Sequence, residues 1–284
     1  MRKIGETLLS RLSRVANSTL AFCIAFIIVI SVFNLVTAIF GKIFGFDSTV
    51  YYYGVRLNQN TTEWYLKNVV IIFSSGTISI FLLGIVFYAL FNNLKSKQLV
   101  INLIFLWGFV ICSSIIAAQG LIMILGDGQY SSPYYSNLAI VAAWLHFPTP
   151  IIYLFAILLF LFGVGCAMFY NRPFLQLAYS FSKVNKKHKR LRFLVETAFV
   201  PFMLGSGIVF LITFPMNIWL TFIYILYIGI SMFITLIFCE FIQVTIDEIN
   251  RYQNLQTINF FLIIIFVVFV ALILLLWKGV YIGR

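Results

Sequence analysis

The chain has 284 residues, of which 62% are hydrophobic and 10% charged, with a formal net charge of +11. A soluble domain is about a quarter charged, so this composition excludes an ordinary water-soluble fold. It also excludes a transmembrane β-barrel, whose strands of about 10 residues alternate in polarity, because the apolar runs here are continuous.

Six stretches lack any charged side chain: 15–41, 68–94, 98–126, 128–171, 197–239 and 252–277. A helix crosses the hydrocarbon core with about 20 apolar residues, so each stretch can cross at least once. The spans predicted in chain order are Thr19–Phe40, Asn68–Phe91, Leu99–Leu125, Thr149–Tyr170, Leu194–Phe214, Asn217–Cys239 and Ile258–Trp277. The fifth and sixth come from one run, divided at Phe214-Pro215-Met216-Asn217, because proline breaks a helix and asparagine suits a turn. The expected fold class is an all-α polytopic transmembrane bundle of about seven spans (six if 194–239 is one element). It forms a single integral membrane domain over 1–284.

Residues 1–14 are basic. The apolar run after them is a full span rather than a short core with a cleavage site, so no removable signal peptide is expected. If the N-terminus is cytoplasmic, Arg2, Lys3, Arg11, Arg14, Lys95, Lys97, Arg172, Lys183, Lys186, Lys187, Lys189, Arg190, Arg192 and Arg251 lie inside, and Lys42, Arg56, Lys67, Lys278 and Arg284 outside. Fourteen against five places the N-terminus inside and the C-terminus outside. The same sorting accounts for the net charge without nucleic acid.

The first outer loop, Gly41–Lys67, contains Val50-Tyr-Tyr-Tyr-Gly-Val-Arg-Leu57, a β-forming run that predicts a short strand or hairpin. It also carries the sequon Asn60-Thr61-Thr62. The second outer loop, Gly126–Pro148, predicts a short interfacial helix over Leu138–His146. In the basic inner loop 172–192, Phe174, Leu177, Ala178 and Phe181 recur at helical spacing ahead of Lys186-Lys-His-Lys-Arg190. An amphipathic helix on anionic lipid is expected there, and the loop offers a site for membrane lipids or a cytoplasmic protein partner.

Polar groups inside the spans are few. Asn34 and Gln119 are the best placed to lie within the bilayer, and an interhelical hydrogen bond there is worth only about 0.6–2 kcal/mol. Glu196 and Glu240 fall at the inner ends of their helices and are expected to pair with the basic loop. The pairs Gly41/Gly45 and Ser75/Ser79 predict close helix contacts. Pro201 with Gly205-Ser206-Gly207 predicts a kink, or an unwound segment of the kind that lines transporter sites. His146 and His188 lack a second ligand at metal spacing, and Cys23, Cys112, Cys166 and Cys239 read as packing residues. No metal site or cofactor is expected.

One arrangement resembles the site-2 protease family of membrane zinc metalloproteases. The first span ends Phe33-Asn34-Leu-Val-Thr37-Ala-Ile-Phe-Gly41, then comes a β-like loop, and the second span contains Ser74-Ser75-Gly76-Thr77. The third ends Gln119-Gly-Leu-Ile122-Met-Ile-Leu-Gly-Asp127-Gly128, with Gln119 and Asp127 at the family's Asn-to-Asp separation. Phe33, Asn34 and Thr37 stand where the family has His, Glu and His, and Ile122 replaces its proline. The resemblance covers 30–128 and implies a scaffold that keeps Asp127 as its one remaining metal ligand but lacks the other two ligands and the general base, both of which hydrolysis needs. The family's site usually lies toward the cytosol, whereas the charge count puts Thr37 and Asp127 near the outer face.

The function expected is that of a non-catalytic multi-pass protein of the inner or plasma membrane, with a structural, accessory or binding role. Its candidate binding residues are Asn34, Gln119 and Asp127. The alternatives are a transporter or channel broken at Pro201–Gly207, and a lipid-acting enzyme using Asp127 and His146.

Overall fold

The computed structural model describes residues 8–52, 54–58, 64–93, 99–126, 137–178, 181–213, 218–242 and 258–282. In chain order these form α1 (Leu8–Ile43), β1 (Asp47–Tyr51), β2 (Gly54–Asn58), α2 (Leu66–Asn93), α3 (Leu99–Gly126), α4 (Asn137–Trp144) and α5 (Thr149–Gln176). After a short 3-10 turn at Phe181–Lys183 come α6 (Lys187–Leu194), a π-helical turn at Val195–Phe199, α7 (Val200–Thr213), α8 (Ile218–Phe238), α9 (Phe260–Leu276) and β3 (Val280–Ile282). Among the described residues, six helical segments are long and apolar enough to cross a membrane, with α6, the π turn and α7 counting as one. The protein is a polytopic helical bundle.

The first and fifth spans extend well beyond the predicted bounds on the Arg14 side. α1 begins at Leu8 rather than Thr19, and at 36 residues it is about 54 Å long, well beyond the roughly 30 Å hydrocarbon core. The basic residues from Lys187 form the first turns of the fifth span. They are therefore not part of a separate amphipathic helix. Phe174, Leu177 and Ala178 are buried in the protein, and Phe174 packs edge-on against Trp107 at 5.2 Å between ring centroids. The first three of the spaced positions mark a buried face that meets protein instead of lipid, whereas Phe181, in the 3-10 turn, is exposed.

α3 is the central helix, and α1, α2, α5 and α8 pack around it. Its closest approach, to α5, depends on small residues. A Cβ on Gly120 would lie 2.9 Å from the Ala156 Cα, and one on Gly163 2.7 Å from the Ala117 Cβ. In a membrane the lipid is as apolar as leucine, so such backbone proximity is what holds helices together. The outer surfaces are the reverse. On α5, Leu154, Leu158 and Leu161 are more than half exposed, and on α9 so are Phe260, Ile264 and Leu275. Contiguous apolar surface of this kind fits hydrocarbon surroundings rather than water.

The predicted hairpin exists as β1 and β2, and a third strand that the sequence does not reveal completes a sheet of order β2-β1-β3. β3 pairs antiparallel with β1, Ser48 opposite Ile282 and Val50 opposite Val280. The Tyr281 hydroxyl donates to Asp47 Oδ2 at 2.8 Å, and this bond beside the carboxylate raises the phenol's pKa. At the other end of α9 the Asn259 backbone N–H donates to Asn17 Oδ1 of α1 at 2.9 Å. α9 is thus fixed to α1 at both ends and runs in the same direction. At 17 residues it reaches about 25 Å, a little short of the roughly 30 Å core and at the lower end of the lengths that span it. Because β1 comes after α1 and β3 after α9 on one face, the spans between them must be even in number. Counting α9, the crossings total seven.

Gly41 and Gly45, expected to be a helix contact, serve other ends. A Cβ on Gly41 would lie 2.7 Å from Leu57 Cδ2 of β2. Gly45 adopts φ +83°, where it ends α1 with Phe46 N–H donating to the Gly41 carbonyl at 3.0 Å, the usual left-handed helix stop.

Candidate functional site

The site begins with a proline. Pro201 has no N–H, so the helix it sits in cannot supply the usual donor to the carbonyl four residues back, that of Thr197. Another helix supplies it. Ser18 of α1 donates to the Thr197 carbonyl at 2.6 Å, and the Trp107 indole N–H of α3 donates to the Ser18 hydroxyl at 2.9 Å. All three groups are buried, so the chain of two bonds fixes the register of α1, α3 and the π turn.

That register sets the contacts one turn away. Arg14 lies four residues before Ser18 on the same face of α1, and Glu196 precedes Thr197. Arg14 Nη2 meets Glu196 Oε2 at 3.2 Å. The other carboxylate oxygen takes Arg192 Nε at 3.1 Å. The Arg14 guanidinium also sits 5.5 Å from the Phe193 ring centroid, within cation–π range. The side chain of Arg14 is 5% exposed and that of Glu196 19%, whereas that of Arg192 is 62% exposed. One carboxylate therefore joins an interior arginine to a surface one.

Above the pair opens a cleft of about 280 Å³ lined by Arg11, Arg14, Lys189, Arg192, Phe193 and Glu196, with Ser182 at its rim. Lys189 Nζ donates to the Ser182 carbonyl at 2.9 Å, which holds the lysine at the edge. Among the described lining residues, four cations face one carboxylate. Arg192 uses Nε on Glu196. Its two terminal nitrogens, the planar fork that suits a phosphate or carboxylate, have no partner among the described residues. The arrangement can bind an anion.

Sequence reasoning singles out Glu196 only as a surface-paired charge. A signal for the cleft is nevertheless present: Arg14 and Glu196 are each the last ionisable residue before a charge-free run, 15–41 and 197–239. Glu240 does pair at the surface, with Lys187.

The predicted binding residues lie elsewhere. Gln119 is fully buried, with its Nε2 donating to the Tyr224 hydroxyl of α8 at 3.2 Å. Asn34 is buried on α1, and its Nδ2 has no partner among the described residues. Its neighbours Phe33 and Thr37 lie against Gly76, where a Cβ would come within 2.5 Å of Thr37 Oγ1, and Asn137 Nδ2 donates to the same Thr37 oxygen at 3.2 Å. Asp127 lies outside the described residues, as does the sequon. His146 is exposed and ends α4 in the left-handed region, φ 49°, with Phe147 N–H donating to the Ala142 carbonyl at 3.1 Å. That is a helix-stop geometry. All four cysteines are free.

The alternative of an unwound segment at Pro201–Gly207 is not seen. α7 is continuous through Gly205-Ser206-Gly207, and the departure from α geometry is the π turn before the proline. Gly205 is a contact residue, since a Cβ there would lie 2.4 Å from Phe22 Cδ1.

No protein-family model, curated protein or solved structure matches the chain.

Proposed function

We propose that this protein is a non-catalytic, accessory component of the inner or plasma membrane. On this reading it binds an anionic partner through the cleft around Arg14, and the cleft faces the cytoplasm. The excess of lysine and arginine on the Arg14 side supports that orientation, because positive loops are retained inside.

One observation carries the reading: an arginine side chain only 5% exposed, paired with a carboxylate that a second, mostly exposed arginine shares. Burying a cation costs several kcal/mol, of order 3–5 if its partner is removed. Surface pairing for solubility would not require this depth. A scaffold that fixes one guanidinium and leaves the next one open to solvent suits recognition of a negative group.

The test is thermal unfolding of the purified full chain in detergent. Millimolar pyrophosphate should raise the Tm of the wild type, because a ligand that binds only the folded state stabilises it. The shift should disappear in the doubly substituted Lys189→Gln, Arg192→Gln protein. An equal shift in both proteins would remove the cleft as the working surface. Turnover of added lipid by the purified protein would overturn the non-catalytic assignment.

A further inference from the structure

We infer that the ligand of the cleft is the phosphate of an anionic membrane phospholipid in the leaflet on the Arg14 side, bound with its acyl chains in the adjoining bilayer. This rests on the anion-binding reading above and narrows it to a ligand class.

Depth is the first argument. The charge-free run of α1 starts at residue 15, immediately after Arg14, and that of α7 starts at 197, immediately after Glu196. Both charges therefore stand at the boundary where the hydrocarbon core begins, which is the level of lipid phosphates. A soluble anion would have to come down to that plane, but a headgroup is already there.

The surroundings supply the second argument. Leu8, Leu9 and Leu12 of α1 are 75%, 73% and 58% exposed, and they are interleaved with Arg11 and the buried Ser13 and Arg14. The same turns of one helix thus offer leucine outward and arginine toward the cleft. Leu191 of α6 is also exposed, between Arg190 and Arg192. These leucines precede Arg14 and Glu196, in the headgroup zone, where a basic helix with exposed leucines is amphipathic and rests against an anionic membrane surface.

Chemistry supplies the third. A phospholipid phosphate has two unesterified oxygens and a single negative charge. Arg192 can offer its terminal nitrogens in a planar fork, and Lys189 a point charge at the rim. Glu196 stays on Arg14, so the interior pair does not have to open when lipid enters.

The experiment is binding to the full chain in a neutral detergent, read by native mass spectrometry and checked by Tm. The probes are phosphatidylglycerol, phosphatidylcholine, glycerol 3-phosphate and inorganic phosphate. The variants are Lys189→Gln with Arg192→Gln in the cleft, and Lys186→Gln with Lys187→Gln as a charge-matched pair at the start of the same helix that does not line it. Phosphatidylglycerol should bind well ahead of phosphatidylcholine and of both soluble phosphates. The cleft variant should lose about tenfold or more in affinity and the control pair less than about threefold. Equal losses in the two variants would mean diffuse attraction to the basic helix, and would overturn the inference. Glycerol 3-phosphate binding as tightly as the lipid would overturn it too, while leaving the cleft an anion site. If no probe binds, both the inference and the reading beneath it fail.

Discussion

At the residue scale, the hydrogen-bond chain that links α1, α3 and the fifth span stems from one missing hydrogen. The Thr197 carbonyl lacks its helical donor because residue 201 is proline, and Ser18 replaces it from α1. Ser18→Ala should therefore destabilise the protein by about 1–3 kcal/mol, the cost of an unsatisfied buried group. In a Pro201→Ala background the local donor returns, and the same substitution should cost clearly less. Unfolding the four members of this double-mutant cycle in detergent measures the coupling, and additivity would refute the replacement. His146 supplies an independent check. A left-handed backbone costs a non-glycine residue about 1–2 kcal/mol, so His146→Gly should stabilise by about 0.5–1 kcal/mol after glycine's own entropy is counted. The readout is a higher midpoint of unfolding.

At the element scale, the fifth span shows how the same residue type takes opposite roles two positions apart. Gly205 faces Phe22 with no room for a methyl group, whereas Gly207 has open space around its α-carbon. Gly205→Ala should cost about 1–3 kcal/mol through the forced separation of α1 and α7. Gly207→Ala should be neutral or gain up to about 1 kcal/mol in helix propensity. Comparing the two unfolding midpoints tests whether packing, rather than flexibility, explains this glycine pair. β3 depends on similar closeness. Gly279 has φ +79°, and a Cβ there would lie 2.7 Å from Thr49 Cγ2, so Gly279→Ala should release the strand from β1. The Tyr281–Asp47 bond adds a pH signature. The phenol's raised pKa means its contribution is present below the unfolded tyrosine value of about 10 and fades as the pH rises through the folded one. Alkaline titration of the tyrosine absorbance, with Tyr281→Phe as reference, reads it.

At the scale of the whole molecule, the sheet decides topology more firmly than hydropathy does. The charge-free run predicts a crossing there, the length of α9 is marginal for one, and the β1–β3 pairing supports it by putting the ends of α1 and α9 on one face. Single-cysteine variants at Arg56 and Ile282 should react with a membrane-impermeant thiol reagent from one side of sealed vesicles, and a Lys187→Cys variant from the other. Reaction of Ile282→Cys on the same side as Lys187→Cys would leave six crossings and contradict the sheet.

The spans and the hairpin are legible in the sequence because they rest on local facts: runs without charge and β-forming residues between helices. These properties are fixed by each segment's own transfer energy between water and hydrocarbon, whatever its neighbours. Relations between distant residues are not legible in that way. Phe174 and Leu177 look like a lipid-facing stripe until Trp107 is seen beside Phe174. Gly41 looks like a helix contact until Leu57 of the hairpin occupies the space. Arg14 and Glu196 lie 182 positions apart, and nothing in either segment alone says that they meet. The sequence by itself determined that this chain lives in a membrane as helices, because burial in oil is decided residue by residue. Only the tertiary structure decided where its charges converge, because helix register is set by contacts such as Ser18 with Thr197 that form after the helices have packed.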